Sequence, residues 1–118
     1  MKNFEETVHA FYSLVSQHHF MEAIDTFYDE NIISTDNNNE PVKGLENLRQ
    51  GVEKFINNTA IEKIQLLSTI IDSNLSVDHW HYIFTHKTFG KLDYKQLSVK
   101  RWKYGKIIQE NHFYNLST

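Results

Sequence analysis

Glu110 and His112 stand two apart in the run Lys106-Ile107-Ile108-Gln109-Glu110-Asn111-His112-Phe113-Tyr114, so on a strand both side chains project from one face. A carboxylate and an imidazole enclosed together can act as a general acid/base pair, because burial shifts their titration. Tyr82, Gln96, Ser98 and Lys100 supply polar partners, and Trp80 can stack on a flat or cyclic ligand. On this reading Glu110→Gln abolishes turnover and spares the fold. The same residues also suit a structural hydrogen-bond network across a sheet, with Glu110 paired to Lys100.

Other chemistries find little support. His86, His112 and Glu110 could make a three-ligand metal site, but His86 belongs near a hairpin end, so no metal is expected. The 118 residues include no Cys, which removes disulfides, thiolate metal sites and a cysteine nucleophile. There is no Gly-rich phosphate loop, serine nucleophile elbow or zinc-protease helix signature, and no cofactor is expected. A net charge of -3 supplies no field for a phosphate backbone, so no nucleic-acid partner is expected. The first residues lack the apolar core of a signal peptide and no stretch reaches membrane-spanning length; a cytoplasmic protein without a membrane partner is the expectation.

Positioning elements follow from periodicity. A chain of this length with 40% hydrophobic residues is expected to form a single domain, 1–118, with a core of its own. Phe4, Val8, Phe11 and Val15, with Tyr12 and Leu14, predict an amphipathic helix over 4–17. Phe20, Ala23, Ile24, Phe27 and Tyr28 predict a second, ending near Asp29. Ile32 and Ile33 suit a short strand, 35–40 a loop, and Leu45, Leu48, Val52, Phe55 and Ile56 a third helix that tolerates Gly51 at its centre. From residue 60 onward, β-branched and aromatic runs predict strands at about 60–72, 75–88, 92–103 and 106–115. Helices first and strands last mean α+β, with helices on one face of a curved antiparallel sheet.

Turn chemistry sets the expected register. Thr88-Phe89-Gly90 and Lys103-Tyr104-Gly105 carry Gly third, as a three-residue loop wants, whereas a two-residue type I′ turn forces Phe or Tyr to positive φ. Three-residue loops would place Tyr82 opposite Gln96, Trp80 opposite Ser98, Asp78 opposite Lys100, and Glu110 opposite Ser98. One face then gathers Asp78, Trp80, Tyr82, Phe84, His86, Tyr94, Gln96, Ser98, Lys100, Trp102, Ile108, Glu110, His112 and Tyr114. Rings mixed with polar groups are the composition of a ligand site. The site expected from these strands comprises Trp80, Tyr82, Phe84, Gln96, Ser98, Lys100, Trp102 and Tyr114, joined by Tyr12 and Tyr28 from the helical wall, with a small apolar or aromatic molecule as ligand. Val77, His79, His81, Ile83, Leu97, Val99, Ile107 and Phe113 fall on the opposite face, where a second subunit is the expected cover.

The order of elements, with Pro41-Val42-Lys43-Gly44-Leu45 opening the third helix, Glu22-Ala23-Ile24-Asp25-Thr26-Phe27-Tyr28 in the second and the final run through Glu110 to Asn115, resembles the SnoaL-like branch of the NTF2-like superfamily. That resemblance spans nearly the whole chain. It implies a cone whose sheet curls round the helices, with a pocket at the open end and a homodimer through the outer face. It also implies cofactor-free chemistry of the isomerase, cyclase or hydrolase kind, or ligand binding or dimerisation without catalysis. The ketosteroid isomerase pattern within it, a helix Tyr, an Asp base after the first strand and an Asp donor on the penultimate strand, falls here on Phe11, Thr35 and Ser98. Tyr12 and Asp36 lie one place off, which on a strand turns a residue to the other face, so that activity is not expected.

Overall fold

The computed structural model describes residues 3–116. Helix α1 (Phe4–Ser16) begins at Asn3, whose side chain accepts the Glu6 N–H at 2.8 Å while its own amide donates to the Glu6 carboxylate at 3.1 Å. This reciprocal cap satisfies an end donor that a bare helix leaves open. Val8, Phe11, Tyr12 and Val15 form its buried stripe, as their spacing requires. A left-handed residue, His18, reverses the chain into α2 (Phe20–Phe27).

Strand β1 (Tyr28–Asp36) follows at once, longer than the short strand expected at Ile32–Ile33, and takes in part of the expected 35–40 loop. The short β2 (Val42–Lys43) pairs with it antiparallel, and α3 (Leu45–Asn57) lies beyond Gly44. Four long strands complete the chain: β3 (Thr59–Asp72), β4 (Leu75–His86), β5 (Gly90–Lys103) and β6 (Lys106–Tyr114). They join one six-stranded sheet in the order β2-β1-β6-β5-β4-β3. The fold is therefore α+β, three helices on a curved sheet, but the sheet is mixed because β1 runs parallel to β6. Irregular pairing of β3 between Ile61 and Lys63 and between Leu66 and Ser68 gives the edge strand the local bend and twist that bulges supply.

Register differs from the expectation by two residues in both late hairpins. Tyr82 pairs Tyr94, Trp80 pairs Gln96, Asp78 pairs Ser98 and Ser76 pairs Lys100; on β6, Glu110 pairs Lys100 and His112 pairs Ser98. An even shift keeps each side chain on its face, so the inner face survives although every cross-strand partner changes. The last hairpin shows why. Lys103 pairs Lys106 across a two-residue turn with Tyr104 at φ 52° and Gly105 at φ 77°, the type I′ geometry that the Tyr was expected to forbid. A register shift between Arg101 and Trp102 then turns Ile107, not Ile108, inward, and Ile107 is fully buried opposite Trp102. Twist matching between the strands outweighs the roughly 1 kcal/mol cost of one left-handed side chain.

Along β4, Ser76, Asp78, Trp80, Tyr82 and Phe84 are buried while Val77, His79, His81 and Ile83 are only partly so. On the outer face Leu97 and Phe113 are 41% and 45% exposed. Among the described residues no helix is long and apolar enough to cross a membrane.

Candidate functional site

Helices α1, α2 and α3 do not fill the inner concavity of the sheet. A cavity of about 540 Å³ remains, within the range of small-molecule sites. Its helical wall is apolar, with Phe11, Ile24, Leu48, Val52 and Phe55; its sheet wall is aromatic, with Trp80, Tyr82, Phe84, Tyr94 and Tyr114. Gly51 also borders it, and a Cβ there would touch nothing within 4 Å. The glycine is thus tolerated rather than required for close packing.

Glu110, 2% exposed, is the centre of the polar end. Its Oε1 accepts the Tyr28 hydroxyl at 2.6 Å, and its Oε2 accepts the Ser34 hydroxyl at 2.8 Å. His112 Nε2 lies 3.0 Å from Oε2, and Lys100 Nζ 3.8 Å from Oε1. Lys100 is itself buried, 3.3 Å from both oxygens of Asp78, which also accepts the Trp80 indole N–H. Burial pushes the Glu110 carboxyl up, but the charge and hydrogen bond of His112, the Lys100 ammonium and the Tyr28 hydroxyl outweigh it and hold the group well below the usual carboxylate range. Glu110 is a fixed anion. The donors around it stabilise its charged form.

The imidazole of His112 is held at both nitrogens. Nδ1 lies 2.6 Å from the Ser98 hydroxyl and 3.2 Å from the Gln96 amide, which also donates to Ser98 at 3.1 Å. Nε2–H donates to Glu110, and the Ser98 hydroxyl beside Nδ1 accepts from the protonated ring or donates to the neutral one. Ser98, His112 and Glu110 thereby form a hydroxyl–imidazole–carboxylate chain, yet Ser98 is fully buried and does not border the cavity. A nucleophile needs access to its substrate, so Ser98 fixes the ring instead.

Of the residues expected at the site, Tyr28, Trp80, Tyr82, Phe84, Gln96, Lys100, Glu110, His112 and Tyr114 border the cavity. Tyr12, Ser98 and Trp102 do not. Tyr12 hydrogen-bonds Thr69 at 2.6 Å, and burial followed by the Asp78 charge pushes its hydroxyl up to about 12. Trp102 is a core ring, 2% exposed, edge-on to Phe4, Phe11 and Phe27, with its N–H donated to buried Ser76. His86 stacks between Phe55 and Phe89. No group of three His, Asp or Glu residues among the described residues is arranged to hold a metal.

The cavity residues that escaped the sequence reading include Ser34, Asp36 and, as a site residue, Tyr94. Parallel pairing places Ser34 beside Glu110 and Asp36 beside His112. Asp36, expected to face away, faces in: its Oδ2 accepts the Tyr114 hydroxyl at 2.8 Å, and Oδ1 has no hydrogen-bond partner among the described residues. Only the alternation from Ile32 through Ser34 to Asp36 could have signalled it, had β1 been extended to residue 36.

Comparison with known proteins fits this geometry. No curated protein sequence matches the chain. A candidate SnoaL-like polyketide cyclase from Mesorhizobium loti superposes with a TM-score of 0.87 at 19% identity, over 96% of this chain and 100% of that one. An NTF2-like protein from Burkholderia thailandensis gives 0.81 at 16% identity, over 98% and 93%. An epoxide hydrolase from M. tuberculosis gives 0.75 at 9% identity, over 93% and 80%. At these identities the likeness is one of fold. The SnoaL-like domain family matches residues 8–110, and with the helices, mixed sheet and cavity described above, the chain belongs to that family.

Proposed function

We propose that the chain binds a small, predominantly apolar or aromatic molecule in the cavity, and that proton exchange with it, where the ligand has a proton to exchange, runs through Asp36, with His112 and Glu110 shaping the polar end beside it. The observation that carries this reading is the cavity of about 540 Å³ with an apolar helical wall, an aromatic sheet wall and a few polar groups, Asp36, Lys100, Glu110 and His112 among them. Glu110 has the supporting role of an anion that orients His112, since Tyr28, Ser34 and His112 already engage its oxygens. Asp36 retains an oxygen free to take a proton. This is cofactor-free chemistry of the isomerase, cyclase or hydrolase class. The alternative of binding without catalysis draws support from the described network itself, in which no buried side-chain polar atom lacks a partner.

Tetralin, a bicyclic hydrocarbon, tests the cavity. Its affinity is read by Trp fluorescence and thermal shift in the native chain and in Val52→Trp, with circular dichroism showing that the variant is folded. Tetralin is expected to bind the native chain and to bind Val52→Trp at least tenfold more weakly, because the indole takes up cavity space. Equal affinity for both, or none for either, would sink the reading. The half-exposed apolar side chains of Leu97 and Phe113 support the further expectation of a homodimer through the outer face, which sedimentation would detect.

A further inference from the structure

Six hydroxyl-bearing residues border the cavity, and they divide into two kinds. The hydroxyls of Tyr28 and Ser34 donate to Glu110, that of Tyr114 to Asp36, and that of Thr59 to the Phe55 carbonyl. Those of Tyr82 and Tyr94 have no hydrogen-bond partner among the described residues. Tyr82 is 9% exposed, and because no described buried side-chain polar atom is left without a partner, its hydroxyl meets open space, which here is the cavity. A phenol that no protein group engages and that opens into the cavity is available to donate to an oxygen held there.

The two phenols are cross-strand partners, Tyr82 on β4 and Tyr94 on β5, with ring centroids 5.7 Å apart. Burial pushes the Tyr94 hydroxyl up to about 12, aided by the Asp36 charge, and pushes Tyr82 well above its ordinary value. Both therefore keep their protons at neutral pH and act as donors. Charge narrows the ligand further. Asp36, Glu40 and Glu110 border the cavity, and the buried Lys100 is already shared between Asp78 and Glu110. An anionic ligand therefore meets three carboxylates and one lysine that is already paired, while an ammonium, though it could reach Asp36 Oδ1, offers no acceptor to the phenols. The aromatic wall itself presents two unmet hydroxyl donors, which call for an acceptor oxygen.

We propose that Tyr82 and Tyr94 form a hydroxyl clamp for an acceptor oxygen, so that the cavity takes neutral cyclic compounds carrying a carbonyl or ether oxygen. The clamp rests on the cavity being a ligand site, and it adds the polar group by which a ligand is oriented there. Neither tyrosine is engaged in the Glu110 network, which leaves the phenolic oxygens removable without disturbing it.

A matched probe pair separates the clamp from the cavity reading. 2-Tetralone and tetralin share a skeleton and differ in one ketone oxygen. Dissociation constants for both are measured in the native chain, Tyr82→Phe, Tyr94→Phe and the double variant, with thermal unfolding to confirm that each is folded. Loss of a neutral hydrogen bond should weaken 2-tetralone roughly three- to tenfold per tyrosine, with tetralin unchanged or slightly tighter. Equal changes for both probes, or no change for 2-tetralone in the double variant, would overturn the clamp while leaving the cavity as a site. Binding of neither probe to the native chain would overturn both.

Discussion

Replacing Glu110 by Gln tests the reading of the polar end, and its main effect is expected on stability. Gln keeps the shape but loses the charge that His112 at 3.0 Å and Lys100 at 3.8 Å face, and its NH₂ meets a hydroxyl that now donates, from Tyr28 or Ser34. Breaking a buried charge network from one side costs about 3 kcal/mol or more. At roughly 4 °C per kcal/mol for a domain of this size, the midpoint of thermal unfolding at pH 7 should fall by about 12 °C. The pH dependence is the sharper signature. The folded-state titration of Glu110 is depressed from an ordinary value of 4.5, so the unfolded chain takes up a proton near that value while the folded chain does not. The stabilisation is present above pH 4.5 and is lost as pH falls below it, at about 1.4 kcal/mol per pH unit. Urea unfolding of the native chain and the variant between pH 6 and pH 3 should give acid limbs differing by up to that slope, with the two stabilities converging toward acid. Parallel acid limbs would mean that Glu110 is not held ionised, and the account of the donors around it would fail. This expectation also changes the meaning of the substitution: a loss of turnover in Glu110→Gln has to be separated from loss of fold.

Asp36→Asn addresses the proton-exchange half of the proposed function. The native chain should accelerate deuterium exchange at the activated C1 position of 2-tetralone, followed by NMR, and the variant should lose on the order of a hundredfold of that acceleration while still binding the ketone; equal rates in both would remove Asp36 as a base. Tyr104 is 94% exposed with φ 52°, so Tyr104→Asn should raise stability by about 1 kcal/mol in urea titration, since Asn followed by Gly suits both central places of a type I′ turn. A neutral or destabilising result would show that the tyrosine ring contributes to the hairpin in a way its exposure does not reveal.

Much of the site's sheet wall was decided by local chemistry. Alternation along β4 assigns Asp78, Trp80, Tyr82 and Phe84 to one face and His79, His81 and Ile83 to the other whatever the partner strand does, because successive side chains point to opposite sides of a pleated strand. That is why a register two residues from the expected one left those assignments intact, while Ile107 and Ile108 exchanged places at the only irregularity in the β5–β6 pairing. The buried stripe of α1 was equally legible in a spacing of three and four residues. Whether a ring on that face lines a cavity or fills a core was not: Trp80 and Trp102 have the same parity of facing and are both buried, but Phe4, Phe11 and Phe27 pack edge-on around Trp102, whereas Trp80 borders the cavity. The parallel pairing of β1 with β6 was beyond sequence as well. It joins Ser34 to Glu110 across 76 positions of chain and sets Asp36 beside His112, and no turn connects those strands to announce it. Spacing alone brought Glu110 and His112 onto one face, but an ionised Glu110 and an Asp36 with a free oxygen follow only from the groups that tertiary structure gathers around them, since a carboxyl's protonation depends on its neighbours in space.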